Sequence, residues 1–199
     1  MLDGLRQFIS RQFSHPSGPV GRLIAVAMNR GNRGLNDRAI DALELQPGAR
    51  VLDLGFGGGL SFPALLDAGA TVIGVDRASD MVDAATARYR TDERVTVHLG
   101  EVEALPLPDA SVDRILTVNT VYFWPDLHAA FAELHRVLAP AGRLVIGIRD
   151  ESVLQRVSSE VFTLRTPAEL TEALTGAGFS TSTTITAENG GSHLIAATT

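Results

Sequence analysis

Cysteine is absent from the 199 residues, which excludes disulfides, thiolate metal sites and cysteine nucleophiles from this chain. Long hydrophobic runs are missing too. The longest near the N-terminus, Leu23–Met28, is bracketed by Arg22 and Arg30 and falls far short of the roughly 20 apolar residues that cross a bilayer as a helix. Residues 1–20 lack the basic start, apolar middle and small-residue cleavage site of a secretory signal. A soluble, cytoplasmic protein is therefore the expectation. Positive charge is in short supply, with 17 Lys and Arg against 23 Asp and Glu and a net charge of −6. No broad nucleic-acid surface is expected, since phosphate binding needs clustered cations. The five histidines are scattered without metal-ligand spacing, and no Gly-x-Ser-x-Gly sequence marks a nucleophile elbow.

The composition that is present, 45% hydrophobic and 20% charged, is that of an ordinary globular domain with one sizeable core. From residue 50 onward, strand-like and helix-like segments alternate. Strands are expected at 50–54, 71–75, 94–99, 112–118 and 143–149, with helices at about 59–68, 79–90 and 126–138. Short buried strands flanked by helices imply a parallel sheet covered on both faces. Thr166-Pro-Ala-Glu169 reads as a capping box with proline at the first helical position, and that helix should end near Thr175-Gly-Ala-Gly178. Strands at about 179–187 and 192–198 follow, joined by Asn189-Gly190-Gly191, a turn so short that it joins antiparallel neighbours. The fold class is therefore α/β, doubly wound, with a mostly parallel seven-stranded sheet and a C-terminal antiparallel hairpin. The first 45 residues read differently, as helices over about 2–13, 20–29 and 35–45, broken at His15-Pro-Ser-Gly-Pro19.

The chemistry gathers at three successive strand ends. Val51-Leu-Asp-Leu-Gly-Phe-Gly-Gly-Gly59 is an apolar strand running into a glycine turn that opens a helix. Gly55, Gly57 and Gly59 permit positive φ and let the backbone approach a ligand closely; such turns also serve strand-to-helix packing alone. A dinucleotide fingerprint wants glycine at the sixth position, where Leu60 stands. Asp53 just inside the first strand suits a ligand carrying an ammonium group better than one carrying pyrophosphate. Asp76 ends the second strand, 17 residues after Gly59, where a carboxylate accepts both ribose hydroxyls or caps the next helix. Arg77 lies along an adenine or faces water. Glu101, after the third strand, accepts an exocyclic amine or is an exposed loop residue. Beyond the fourth strand come Tyr122, Phe123 and Trp124, which line an acceptor pocket or pack beneath the following helix, packing being favoured for Phe123. For acid–base work the candidates are Tyr122, His128, for which a surface helix position is the favoured account, and His15 on the N-terminal segment.

Together with Gly100-Glu-Val-Glu-Ala-Leu-Pro-Leu-Pro-Asp109 and Glu133-Leu-His-Arg-Val-Leu-Ala-Pro-Ala-Gly142, these segments resemble the class I S-adenosylmethionine-dependent methyltransferases, specifically the small-molecule group that includes ubiquinone-type and sterol-type enzymes. The resemblance covers about residues 36–199, and Gly21-Arg-Leu, Met28-Asn and Leu35-Asn36 are similar to short bacterial members with a Gly-Phe-Gly loop. It implies a Rossmann-like fold over 46–199, S-adenosyl-L-methionine as cofactor and a small-molecule methyl acceptor, with the acceptor site closed by the helical segment 1–45, by a partner subunit, or not at all. Asp53 with the Gly55 and Gly57 backbone would hold the methionine part, Asp76 the ribose, and Glu101 with Val102 the adenine. Met81 would pack on the adenine, and Asn119 would contribute backbone contacts. One departure stands out: many relatives carry a long acceptor-binding insertion before the helix at 167–175, and here that stretch is short. A cofactor-binding protein without turnover is the second reading. A nicotinamide-dependent oxidoreductase is a third, disfavoured by Leu60 and the terminal hairpin.

Overall fold

The computed structural model describes residues 32–151, 163–187 and 191–199. The helices expected over 2–13 and 20–29, the break at 15–19, His15 and the Asn189-Gly190 pair lie outside the described residues. A first helix, α1, covers 32–41, a few residues ahead of the expected 35–45. It lays Leu35 and Ala39 onto the sheet, and Leu43 in the turn that follows is buried with them. The carbonyls of that turn are met from the sheet. Arg114 Nε donates to the Leu43 carbonyl at 2.9 Å and Arg143 Nε to the Ala42 carbonyl at 2.7 Å. The expected boundary between residues 45 and 46 thus runs between a helix and the sheet that buries it.

Seven strands follow: β1 (Arg50–Leu54), β2 (Thr71–Asp76), β3 (Val95–Leu99), β4 (Val112–Val118), β5 (Leu138–Arg149), β6 (Thr181–Thr186) and β7 (Ser192–Thr198). They form one sheet in the order β3-β2-β1-β4-β5-β7-β6. The first five are parallel, and β7 runs antiparallel to both β5 and β6. The expected α/β, Rossmann-like, doubly wound sheet with its terminal hairpin is what the chain adopts. The strand order reverses between β1 and β4, and in open α/β sheets a ligand crevice opens at that reversal, beyond the carboxyl ends of the strands.

Helices α2 (Phe62–Asp67), α3 (Ser79–Tyr89), α4 (Leu127–Val137) and α5 (Pro167–Gly176) cover the two faces. Side chains alternate across a strand, so Val51 joins Leu43, Phe62 and Leu65 in one layer, while Leu52 and Leu54 join Phe131, Leu134 and Leu174 in the other. Helix α2 is shorter than the expected 59–68 because the glycine turn holds Gly55, Gly57 and Gly59 at φ of 70°, 51° and 65°, outside the helical region. Helix α5 starts as its sequence dictates. The Thr166 hydroxyl accepts from the Glu169 N–H at 3.2 Å, and the Glu169 carboxylate accepts from the Thr166 N–H at 2.7 Å. Replacing Thr166 with Ala should cost about 1 kcal/mol, read as a lowered urea midpoint with an unchanged m-value.

Candidate functional site

The ends of β1, β2 and β4 frame an open cleft lined by the glycine turn and the strand-end carboxylates. All nine residues expected around a cofactor, Asp53, Gly55, Gly57, Asp76, Arg77, Met81, Glu101, Val102 and Asn119, lie in its walls.

The glycine turn is fixed from both sides. Gly55 N–H donates to the Val75 carbonyl at 2.7 Å. Gly57 N–H donates to Asp76 Oδ2 at 2.7 Å, and Ala78 N–H donates to Asp76 Oδ1 at 2.9 Å. A Cβ at Gly55 would overlap the methyl group of Thr120, whereas one at Gly57 would meet nothing. The turn therefore packs against the β4 exit and leaves its other surface open. Asp76 is 7% exposed and Asp53 5%. Asp53 accepts a hydrogen bond from the buried Ser61 hydroxyl. Burial pushes the Asp53 carboxyl up to about 7, the Ser61 bond opposing the rise and the charge of Asp76 adding to it.

On the β3 side, Glu101 is exposed and stands 3.7 Å from the Arg77 guanidinium, an open pair of small energetic weight. Met81 and Val102 are buried and give that end an apolar floor. The loop that carries Val102 is clamped from α4. Glu133 Oε1 accepts from the Leu105 N–H at 2.8 Å, and Arg136 donates both to Glu133 at 2.7 Å and to the Leu107 carbonyl at 2.9 Å. This gives the Glu133–Arg136 segment its place in the site although neither residue lines the cleft. The Arg136 guanidinium holds the Glu133 carboxyl below its ordinary range.

On the β4 side, Asn119 takes a left-handed φ of 59° while its N–H donates to the Gly147 carbonyl at 2.8 Å. Asparagine tolerates that conformation better than most residues. The next residues separate the aromatic candidates. Phe123, expected to pack away, lines the cleft, as does Trp124, which also packs edge-on against Phe131 at 5.7 Å. Tyr122 is 2% exposed and turned into the core. Its hydroxyl accepts from the Arg149 N–H at 2.6 Å, and burial pushes its phenol above the ordinary range. His128 lies in the first turn of α4, beside Gly176 at the end of α5. Neither Tyr122 nor His128, the two acid–base candidates, reaches the cleft wall. Both were placed there by their position after β4, which does not say which way a side chain turns.

Ser61, Asn32 and Asn36 also line the cleft and were not singled out in the sequence. Ser61 was findable as a hydroxyl in the turn eight residues after Asp53. Asn32 and Asn36 sit at i, i+4 on α1, one helical face. Among the described residues no cluster of His, Cys, Asp or Glu suits a metal ion, and no helix is long and apolar enough to cross a membrane.

Carboxylates at two adjacent strand ends beside a glycine turn, at the reversal of a doubly wound sheet, define a nucleoside-binding α/β domain. A family profile described as a methyltransferase domain matches residues 52–146. The malonyl-[acyl-carrier protein] O-methyltransferase of Serratia marcescens is 30% identical over 152 residues, covering 76% of this chain and 56% of that protein. The 27-O-demethylrifamycin SV methyltransferase of Amycolatopsis mediterranei is 35% identical over 119 residues, covering 57% and 43%. A solved S-adenosylmethionine-dependent methyltransferase from Aquifex aeolicus superposes with a TM-score of 0.73 at 21% identity, covering 87% of this chain and 96% of that one. Residues 52–146 thus match a methyltransferase domain on the fold shared with S-adenosylmethionine-dependent methyltransferases, and the chain spans about half the length of the curated relatives it matches.

Two outcomes follow from the burial of these groups. Tyr122→Phe should lower stability by about 1 kcal/mol through the lost hydrogen bond while leaving ligand affinity in the cleft within about twofold, as urea unfolding and calorimetry would show. Asp53 holds its proton more tightly in the folded chain than in the unfolded one. Its contribution to stability is therefore full below the ordinary carboxylate pKa and is lost as pH rises through about 7. Ligand-free Asp53→Asn should accordingly resist urea better than the parent near pH 8, by on the order of 2 kcal/mol, with the advantage gone near pH 4.

Proposed function

We propose that this domain binds S-adenosylmethionine in the cleft at the β1–β4 reversal and passes its methyl group to a small-molecule acceptor. The observation that carries the reading is the pair of buried carboxylates, Asp53 and Asp76, on either side of one glycine turn. The residues present fit the cofactor. Asp53, buried with a hydroxyl for company, is a partner for the ammonium of the methionine part, and the open surface at Gly57 admits that part close to the backbone. Asp76 accepts two backbone N–H groups, and a carboxylate has roughly four lone-pair sites, which accommodates ribose hydroxyls as well. Met81 and Val102 offer apolar contact to the adenine, with Glu101 and the Val102 backbone reading its edge and Arg77 bordering it. Asn119 meets the amino acid moiety through its backbone.

When bound, the cofactor supplies a methyl group already activated on a sulfonium. The chain's own residues then orient the two partners and exclude water, the main levers in such a displacement. The acceptor would lie toward Phe123, Trp124 and Pro125, with the amides of Asn32 and Asn36 across from them. An oxygen acceptor agrees with the names of the two enzymes cited above. Tyr122 and His128 do not take the role of general base in this reading, because their side chains point elsewhere. The setting is proposed to be cytoplasmic. No nucleic acid is proposed as a partner, and the N-terminal segment, residues 1–45, is proposed to close the acceptor site.

Calorimetric titration with S-adenosylmethionine, S-adenosylhomocysteine and NAD tests the cofactor. The first two should bind, and Asp76→Ala should weaken both by at least about tenfold in a folded variant. Binding of NAD in their place would favour the oxidoreductase reading. Binding of the sulfur nucleosides with no methyl transfer across an acceptor screen would favour the cofactor-binding protein.

A further inference from the structure

We propose that cofactor capture in this cleft releases a proton from Asp53, and that Ser61 is the positioning residue that sets the pH at which this happens. The proposal rests on the cofactor reading above. Asp53 sits near the end of β1, 5% exposed in the cleft wall, and the hydroxyl that faces it, Ser61 at the start of α2, is itself 3% exposed. The charged group facing Asp53 from β2 is a second carboxylate, Asp76. From α1 the cleft wall presents the amides of Asn32 and Asn36, and from the β4 exit it presents Asn119 and Thr120, all uncharged. Arg77, at the rim, pairs with Glu101.

A carboxyl in such surroundings favours its neutral form, because desolvation and a neighbouring like charge both oppose ionisation. The physical separation agrees, since burial holds this group at about 7. The incoming ammonium of an amino acid needs the ionised form. Binding and deprotonation are then one thermodynamic step. Ser61 acts on that step through Asp53 and not on the ligand. Its hydroxyl donates to the carboxylate, which favours the charged state and fixes which way the free lone pairs point.

The test is calorimetry of S-adenosylhomocysteine from about pH 6 to about pH 8.5, in paired buffers of different ionisation enthalpy. The parent chain should bind about tenfold more tightly near pH 8 than near pH 6, since the competent ionised fraction rises by that factor across a midpoint near 7. It should release close to one proton at the acid end and almost none at the alkaline end. 5′-Methylthioadenosine, which lacks the amino acid end, should bind with no such slope. Asp53→Asn, with its fold checked by circular dichroism, should bind S-adenosylhomocysteine weakly and without pH dependence, which separates titration of Asp53 from titration of the ligand. Ser61→Ala should move the midpoint upward, so that its loss of affinity is larger near pH 7 than near pH 8.5, and Ser61→Thr should restore the parent profile. A flat profile for the parent overturns proton release. An equal loss at every pH in Ser61→Ala overturns the positioning role. If neither nucleoside binds folded protein, the cofactor reading itself fails, an outcome distinct from both.

Discussion

Two carboxyl groups buried in the wall of one cleft set the terms for the rest of this domain. Asp53 and Asp76 end adjacent parallel strands, and each is almost wholly shielded from water. Such an arrangement is unfavourable unless hydrogen bonds replace the lost solvent. The surrounding sequence supplies them. The glycine turn directs the Gly57 N–H at Asp76, the start of α3 adds the Ala78 N–H, and the start of α2 adds the Ser61 hydroxyl. The same requirement reaches into the sheet. Gly74 lies beside Asp53 in the β1–β2 register, and a Cβ there would come within 2.7 Å of Phe62 and 2.8 Å of Phe56. The aromatic wall behind the carboxylates exists because that strand position has no side chain.

The elements around the cleft are held by arginine. All 17 basic residues of the chain are arginine, and several of them serve backbone carbonyls as well as acids. Arg114 and Arg143, paired across β4 and β5, end α1. Arg136 reaches the loop before β4 and Glu133 at once. A planar fork with several fixed donors can join a carboxylate and a carbonyl in one geometry, which a single ammonium does less well. Arginine thus ties the end of the α1 segment to the sheet and the Leu105–Leu107 loop to α4.

The sequence was most legible where local chemistry leaves little choice. The alternation of apolar runs placed β4 and β7 to the residue, and Thr166-Pro-Ala-Glu169 placed the start of α5, because cap geometry is decided by neighbours along the chain. The wall of the cleft was legible for a related reason: carboxylates and glycines at strand ends have few other uses in a parallel sheet. What escaped was side-chain direction in irregular segments. Tyr122 and Phe123 are adjacent, follow the same strand and have similar rings, yet one is in the core and the other faces the cleft. That difference follows from the short turn of 3₁₀ helix at Val121–Phe123, which no periodicity announces. Ser61 escaped because its importance comes from Asp53, a contact across the turn.

The position of β7 has a consequence for how the domain is made. It pairs with β5 on one side and β6 on the other. During synthesis β6 emerges first but has no neighbour to pair with until β7 follows and docks on β5. The strands and loops that frame the cleft lie earlier in the chain, whereas the far side of the sheet waits for a late insertion. Until that insertion β5 is an open edge, a hazard in a parallel sheet. Whatever delays β7 prolongs the exposure of Ile146 and Ile148, so the vulnerability of this domain during folding lies on the side away from its chemistry.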